Sequence, residues 1–213
     1  MYREYKNSRM PAYKLTYFNG KGRAELARLL FAKAGVAYED IRLERDQWPP
    51  LKDSMPFGSL PVLEVDGVKI GQSFAIASYL AKKFGLYGKT DIEEALVNGV
   101  CFAIEDLLNL FVSCMFTKDE AKKAELKKSL EEEKLPAFLK YLERIAEKNG
   151  SGFLVGSDMT LADIHFANSM NAPKMMSLSL DMAEYPKLQD IVQKVETDAN
   201  IADWIKNRPV TAM

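Results

Sequence analysis

Apolar and polar positions follow two different periods along this chain, and the change falls near residue 85. Before it, strand-like runs dominate. Tyr13 to Phe18 is rich in aromatic and β-branched residues and reads as a strand. Asn19-Gly20-Lys21-Gly22 is a turn. From Arg23 to Ala34, Leu26, Leu29 and Leu30 fall at helical spacing, and Gly35 stops the run. Ala37 to Leu43 alternates as a second strand, so the spacing predicts a right-handed βαβ unit. Asp46 to Ser54, broken by Pro49-Pro50, is irregular or a short helix. Val62 to Val65 and Val68 to Ile70 flank Asp66-Gly67, a strong hairpin signal because glycine takes positive φ without steric cost. Pro61 stands at the mouth of that hairpin, where a residue without an N–H is tolerated. Ser73 is the expected N-cap of a helix through Leu80, and a helix start collects anions on its free N–H groups.

Gly85 to Thr90 breaks the composition, and beyond it strand signals vanish. Asp91 to Phe116 carries apolar residues at helical spacing, and so does a charged segment from Lys118 to Lys148 whose alternating blocks read as a solvated face. Asn149 to Gly152 is a loop. Thr160 and Asp163 are spaced as the N-cap and N3 residues of a capping box, with Met159 and Ile164 set for a hydrophobic staple. Pro186 to Thr197 and Ile201 to Lys206 read as the last two helices. The boundaries expected are an extension over 1–12, a mixed α/β domain over 13–84, a linker over 85–90 and an all-helical domain over 91–213.

Composition narrows the function classes. The 213 residues are 47% hydrophobic and 28% charged, with a net charge of −1 and no dense basic run, which argues against nucleic acid or an anionic membrane as main partner. No apolar run approaches a membrane span of roughly 20 residues. The first nine residues lack the apolar core of a secretion signal and read as a solvated extension, with Met10 as an alternative start. Cys101 and Cys114 share one helix about 20 Å apart, too far to bridge, and two unpaired thiols fit a reducing cytoplasmic location. The single histidine, His165, removes His-rich zinc sites and reads as a satisfied core or boundary residue.

Five motifs in order carry a resemblance: Tyr17-Phe18 with Gly22-Arg23-Ala24-Glu25, Asp46-Gln47-Trp48-Pro49, Leu60-Pro61-Val62-Leu63, Gln72-Ser73, and Met159-Thr160-Leu161-Ala162-Asp163. From about Tyr13 onward the chain resembles a cytosolic glutathione transferase, closest to the sigma class. The resemblance implies a thioredoxin-like α/β N-terminal domain with Pro61 in cis, followed by an all-α C-terminal domain. It implies glutathione as co-substrate, with no metal, and a small hydrophobic electrophile as second substrate.

The same resemblance implies the site residues. Tyr17 would donate its phenolic hydrogen bond to the glutathione sulfur, and Arg23 would reach over that sulfur. Phe18 and Leu60 join the binding set, the latter through its backbone beside Pro61. Trp48 and Lys52 would meet the glycine end, and Gln72 and Ser73 the γ-glutamyl carboxylate. Asp106 of the other subunit of a homodimer would hold the ammonium. Many sigma members carry a lysine where this chain has Ser59, which implies a weaker or water-mediated contact there. Some sigma members isomerise prostaglandin H, and some of those bind a divalent ion with acids on the helix of Asp106. Here Phe102 takes one such position beside Glu105 and Asp106, so no metal site is expected.

Other readings stay open on the residues alone. Tyr17 also fits a strand aromatic packed with Tyr13 and Leu15. Phe102, Leu110, Phe111 and Met115 are candidate walls for the second substrate, although aromatics at helical spacing are mostly core. Against conjugation stand prostaglandin isomerisation on the same scaffold and a crystallin-like structural use, which the intact Tyr17, Arg23, Trp48, Lys52, Gln72 and Ser73 disfavour. A thioredoxin-type redox protein would need a cysteine in the turn at 19–23, and none is there.

Overall fold

A computed structural model describes residues 11–211. The extension over residues 1–10, and with it the alternative start at Met10, lies outside the described residues.

Four strands form one sheet in the order β2-β1-β3-β4. β1 (Tyr13–Phe18) runs parallel to β2 (Glu39–Leu43) and antiparallel to β3 (Val62–Val65), which pairs antiparallel with β4 (Val68–Gly71). The βαβ unit is therefore present, closed by α1 (Glu25–Ala34). Gly35, at φ 63°, ends that helix in the left-handed conformation. The Asp66-Gly67 turn takes positive φ at both positions (47° and 86°), as a tight type I′ hairpin requires. Residues 45–58 wind through three short 3-10 turns, two of them led by prolines.

α2 (Ser73–Lys83) corrects one expectation. Ser73 is the first helical residue, not the cap. Gln72 holds the cap position at φ 70°, and no side chain caps the helix. The chain turns through this positive-φ residue straight out of β4, so the serine arrives already inside the first turn.

The helical part begins with α3 (Asp91–Phe116), capped by the Thr90 hydroxyl, which accepts from the Glu93 N–H at 3.1 Å. By length and composition α3 could cross a membrane, which corrects the expectation that no run approaches such a span. In this fold one of its edges is core: Val97, Cys101, Ile104, Phe111 and Cys114 are all buried. The charged segment is two helices, α4 (Glu120–Ser129) and α5 (Leu135–Asn149), joined by a π turn at Leu130–Lys134. Pro136 explains the turn: its ring excludes the i−4 carbonyl, and the Leu135 N–H reaches back to the Leu130 carbonyl instead.

α6 (Leu161–Ser169) is buried along nearly its whole length, with the Thr160–Asp163 capping box at its start. A short α7 (Asn171–Met175), which no sequence signal indicated, precedes α8 (Pro186–Glu196) and α9 (Ala199–Asn207). One continuous core runs from Leu15 and Phe31 of the sheet layer to Ile104, Leu139, Phe166 and Ile191 of the helices.

Candidate active site at the domain seam

The site is built outward from the end of β1. Tyr17 is half-buried and meets Phe18 edge-to-face, with centroids 5.6 Å apart; Phe18 meets Trp48 in the same way at 6.0 Å. The loop that carries Trp48 is tied to the turn after β1. Asn19 donates to Glu44 Oε1 at 3.1 Å, and the Gln47 side chain accepts from the Glu44 N–H at 2.8 Å.

The turn at 19–22 is fixed from beneath by Arg28, whose side chain is wholly buried. It donates to the Gly20 carbonyl at 2.7 Å and pairs with Glu25 and Asp40 at 3.2 and 3.1 Å. Glu25 in turn accepts from Trp204 and Arg208 near the C-terminus, both at 2.9 Å. A buried charge network thus locks this turn to the helical domain, and removing one member would leave the others uncompensated.

Gly22 bends the chain back over Tyr17 at φ 40°; a Cβ there would lie 2.6 Å from the phenol oxygen. The next residue, Arg23, donates its backbone N–H to that oxygen at 3.2 Å. Its guanidinium reaches across to α3, bonding Glu105 at 3.1 Å and Asn109 at 2.9 Å. Burial pushes the Glu105 carboxyl up, but the adjacent His165 and Arg23 outweigh burial and hold it below the usual carboxylate range.

The Leu60-Pro61 bond is cis, as the resemblance implied. Lys52 is exposed; its stem lies against Gly58, and its ammonium has no partner among the described residues. Gln72 is exposed and Ser73 half-buried at the start of α2. Asp106 is exposed on α3 and bonds none of the others. A cleft of about 450 Å³ opens between Leu29, Asn168, Val195 and Ile205; Arg208 borders it, and none of the expected site residues does.

Two expectations about surrounding residues fail. Phe111, a candidate substrate wall, is core at 1% exposure, because its helical position faces inward; Phe102, Leu110 and Met115 remain exposed. Phe102 packs on Phe74 of α2, with centroids 4.7 Å apart. His165 is buried, yet neither ring nitrogen makes a hydrogen bond among the described residues, so it is not the satisfied histidine expected. Glu105 and Asn109, which hold Arg23, were not read as site residues; their i, i+4 spacing on one helix face was the available signal. No cluster of three or more His, Cys, Asp or Glu suited to a metal occurs among the described residues.

A mixed four-stranded sheet with helices packed on it, followed by a helical bundle, gives a two-part fold with Tyr17 at the end of its first strand. Residues 13–82 match the profile of the glutathione S-transferase N-terminal domain and residues 105–208 that of its C-terminal domain. The chain is 43% identical to the hematopoietic prostaglandin D synthase of Gallus gallus over 96% of this chain and all of that one. It is 39% identical to S-crystallin SL11 of Nototodarus sloanii over 95% of this chain and all of that one. Among solved structures, monomeric Na-GST-3, a glutathione S-transferase of the hookworm Necator americanus, superposes with a TM-score of 0.81 at 38% identity, covering 95% of this chain and all of that one. The chain belongs to the glutathione S-transferase family, in its sigma class. It is an enzyme that uses glutathione as co-substrate and transfers it to small electrophiles.

Proposed function

We propose that Tyr17 activates the glutathione thiol in this chain, and that the residues around it bind the tripeptide. The observation that carries the reading is the Arg23 N–H donated to the Tyr17 oxygen. With that oxygen already accepting, the phenolic proton is free to be donated outward to a thiolate. A hydrogen bond to a charged acceptor is worth about 1.5–3 kcal/mol, and 1.36 kcal/mol is one pKa unit. A thiol near 8.5 would fall by roughly one to two units, raising the thiolate at neutral pH from a few per cent to about half. The thiolate then attacks the electrophilic carbon, and the leaving group departs with the electron pair.

Arg23 adds positive charge on the sulfur side. Trp48 covers the glycine end, and the unpaired Lys52 ammonium meets its carboxylate. The Leu60 backbone beside Pro61 lies along the cysteinyl unit, and Phe18 backs the tyrosine. Gln72, Ser73 and the start of α2 receive the γ-glutamyl carboxylate, the free N–H groups favouring an anion. We take residues 13–84 as the glutathione-binding domain, 85–90 as linker and 91–213 as the helical domain that supplies the electrophile pocket.

The working form is a cytoplasmic homodimer. What supports a second copy is the outer face of α3, where Ile92 is 71% exposed, Leu96 54% and Phe102 55%; Phe57, on the loop before β3, is 77% exposed. Apolar patches of this kind mark interfaces. Gly99, with open space where a Cβ would stand, leaves that face flat enough for close approach. Asp106 lies one turn beyond Phe102, where it reaches the partner's bound glutathione. The hookworm relative is a monomer, and sedimentation that gave a monomer here would overturn the homodimer.

Retention on glutathione-agarose, with conjugation of 1-chloro-2,4-dinitrobenzene, tests the reading. Activity that survives Tyr17→Phe unchanged would overturn the assignment of the tyrosine. The 43% identity to a prostaglandin D synthase favours a second reading, isomerisation of prostaglandin H at the same thiolate. Product analysis with that endoperoxide separates the two.

A further inference from the structure

Behind Arg23 and Glu105 stands His165, which none of the motifs of the resemblance includes. Glu105 is held on one side by Arg23, at 3.1 Å from Oε2, and faced on the other by His165, whose Nε2 lies 3.1 Å from Oε1. His165 belongs to α6 and is 2% exposed. Its Nε2 is at ion-pair distance but off the line a hydrogen bond needs, and Nδ1 has no partner among the described residues.

Burying an imidazole without hydrogen bonds is costly, and an apolar ring would fill the same space at lower cost. The anion beside it gives the histidine a reason to be there. A neutral Nε2–H and an imidazolium are both attracted to Glu105, and the bond closes with a small rotation of either side chain. Such contacts tighten when substrate arrives.

The neighbouring titratable groups do not compete for this role. The Cys101 thiol on α3 is pushed up by burial, with Asp163 and Glu105 adding to it, so it carries no charge. Asp163, on the histidine's own helix, is occupied by the capping bonds from Thr160 and Leu154. Of the other helices packed on α6, α2 and α8 bury apolar residues, among them Ile76, Leu80, Leu188, Ile191 and Val195, and the buried charges of α1, Glu25 and Arg28, are paired with each other.

We propose that His165 is a positioning residue for thiolate formation, acting through Glu105 on Arg23. It fixes the carboxylate that orients the guanidinium, and it offsets the negative charge that Glu105 otherwise sets against a thiolate. Both effects work in the same direction. Without His165 the carboxylate turns wholly to Arg23, neutralises more of its charge and leaves it less well oriented. The inference rests on the reading of Arg23 as the cation on the sulfur side.

The test uses the full-length enzyme and five variants: His165→Phe, His165→Gln, Glu105→Gln, Arg23→Ala and the double variant Glu105→Gln/His165→Phe. Ultraviolet titration of the bound glutathione thiol and steady-state kcat and KM are measured on each. His165→Phe should raise the thiol pKa by about half to one unit and lower kcat/KM about three- to tenfold, mostly in kcat. His165→Gln, whose amide N–H reaches where Nε2 does, should restore both to within about twofold. In the Glu105→Gln background His165→Phe should add nothing, since coupled residues are non-additive. If His165→Phe gives no folded protein, His165→Asn, whose amide stops short of Glu105, takes its place.

Wild-type values in His165→Phe beside an impaired Arg23→Ala overturn the proposal while leaving the Arg23 reading intact. So does equal impairment of His165→Phe and His165→Gln together with a common loss of stability, which is a core role only. An unchanged thiol pKa in Arg23→Ala removes the Arg23 reading first, and this inference with it.

Discussion

The hydroxyl of Tyr17 accepts the backbone N–H of Arg23 at 3.2 Å, across a Gly22 that has no room for a Cβ. This one contact sets which way the phenol can donate. Tyr17→Phe removes the donor and little else. Glutathione binding should persist, while the pKa of the bound thiol rises by about one to two units. Titration of the thiolate absorbance in both proteins measures it, and an unchanged pKa rules Tyr17 out as the thiolate partner.

Gly22→Ala tests the same contact from the other side. The new methyl would sit 2.6 Å from the phenol oxygen and 2.9 Å from a ring carbon, at a φ of 40° that side chains rarely adopt. Strain of this kind costs about 1–3 kcal/mol, and the cheapest relief moves the tyrosine. The expected outcome is a loss of at least about tenfold in kcat/KM with a lowered melting temperature. Wild-type kinetics would show that the tyrosine does not depend on this turn.

Asp106→Ala should weaken glutathione binding without altering dimerisation. The carboxylate is exposed and bonds nothing among the described residues, so its removal disturbs no packing. Equilibrium titration with glutathione, beside analytical sedimentation, reads the two effects separately. A monomer that binds glutathione normally would end the idea of a shared site.

Glu105 gives a pH signature. Its folded-state carboxyl lies below the ordinary value, because His165 and Arg23 outweigh the upward push of burial. A lowered folded value means that the ionised group contributes stability above the unfolded carboxyl pKa, near 4.3. That contribution is lost as pH falls through the folded value. Glu105→Gln should therefore lower the urea midpoint at neutral pH, and the gap should close below about pH 4. A gap of equal size at both pH values would mean that its charge is not what stabilises the fold.

Much of this molecule is legible in its sequence where local chemistry decides the outcome. The Asp66-Gly67 hairpin, the Gly35 stop and the Thr160–Asp163 box follow from residues that allow few other conformations. The cis bond at Pro61 came through the family resemblance. The failures are tertiary. Ser73 looks like a cap by type, but the exit of β4 decides the register and gives that position to Gln72. Phe111 and Leu110 are adjacent in sequence, and only the packing of α3 sends one to the core and the other outward. The Arg23–Glu105–His165 chain joins three elements separated by more than fifty residues of sequence each, so no short-range pattern announces it.

Asp163 carries more than a cap. Capping alone suggests a cost of about 1–2 kcal/mol for Asp163→Ala. The structure adds a second duty, because the carboxylate is fully buried and serves two segments at once. Oδ2 accepts from the Thr160 N–H at 2.8 Å and from the Thr160 hydroxyl at 3.0 Å. Oδ1 accepts from the Leu154 N–H at 2.7 Å, which fastens the loop before α6 to the helix it leads into. Burial pushes this carboxyl up, and these donors pull against that push. Alanine would leave two buried backbone N–H groups unpaired, each costing about 1–3 kcal/mol. It would also remove a negative charge from the positive end of the helix dipole. The expected loss is therefore about 3 kcal/mol, above the capping range. Asp163→Asn, which keeps one acceptor oxygen, should lose less. Urea unfolding of the two variants beside the wild type measures both. A cost of about 1 kcal/mol or less for alanine would mean that the Leu154 contact adds nothing to the cap.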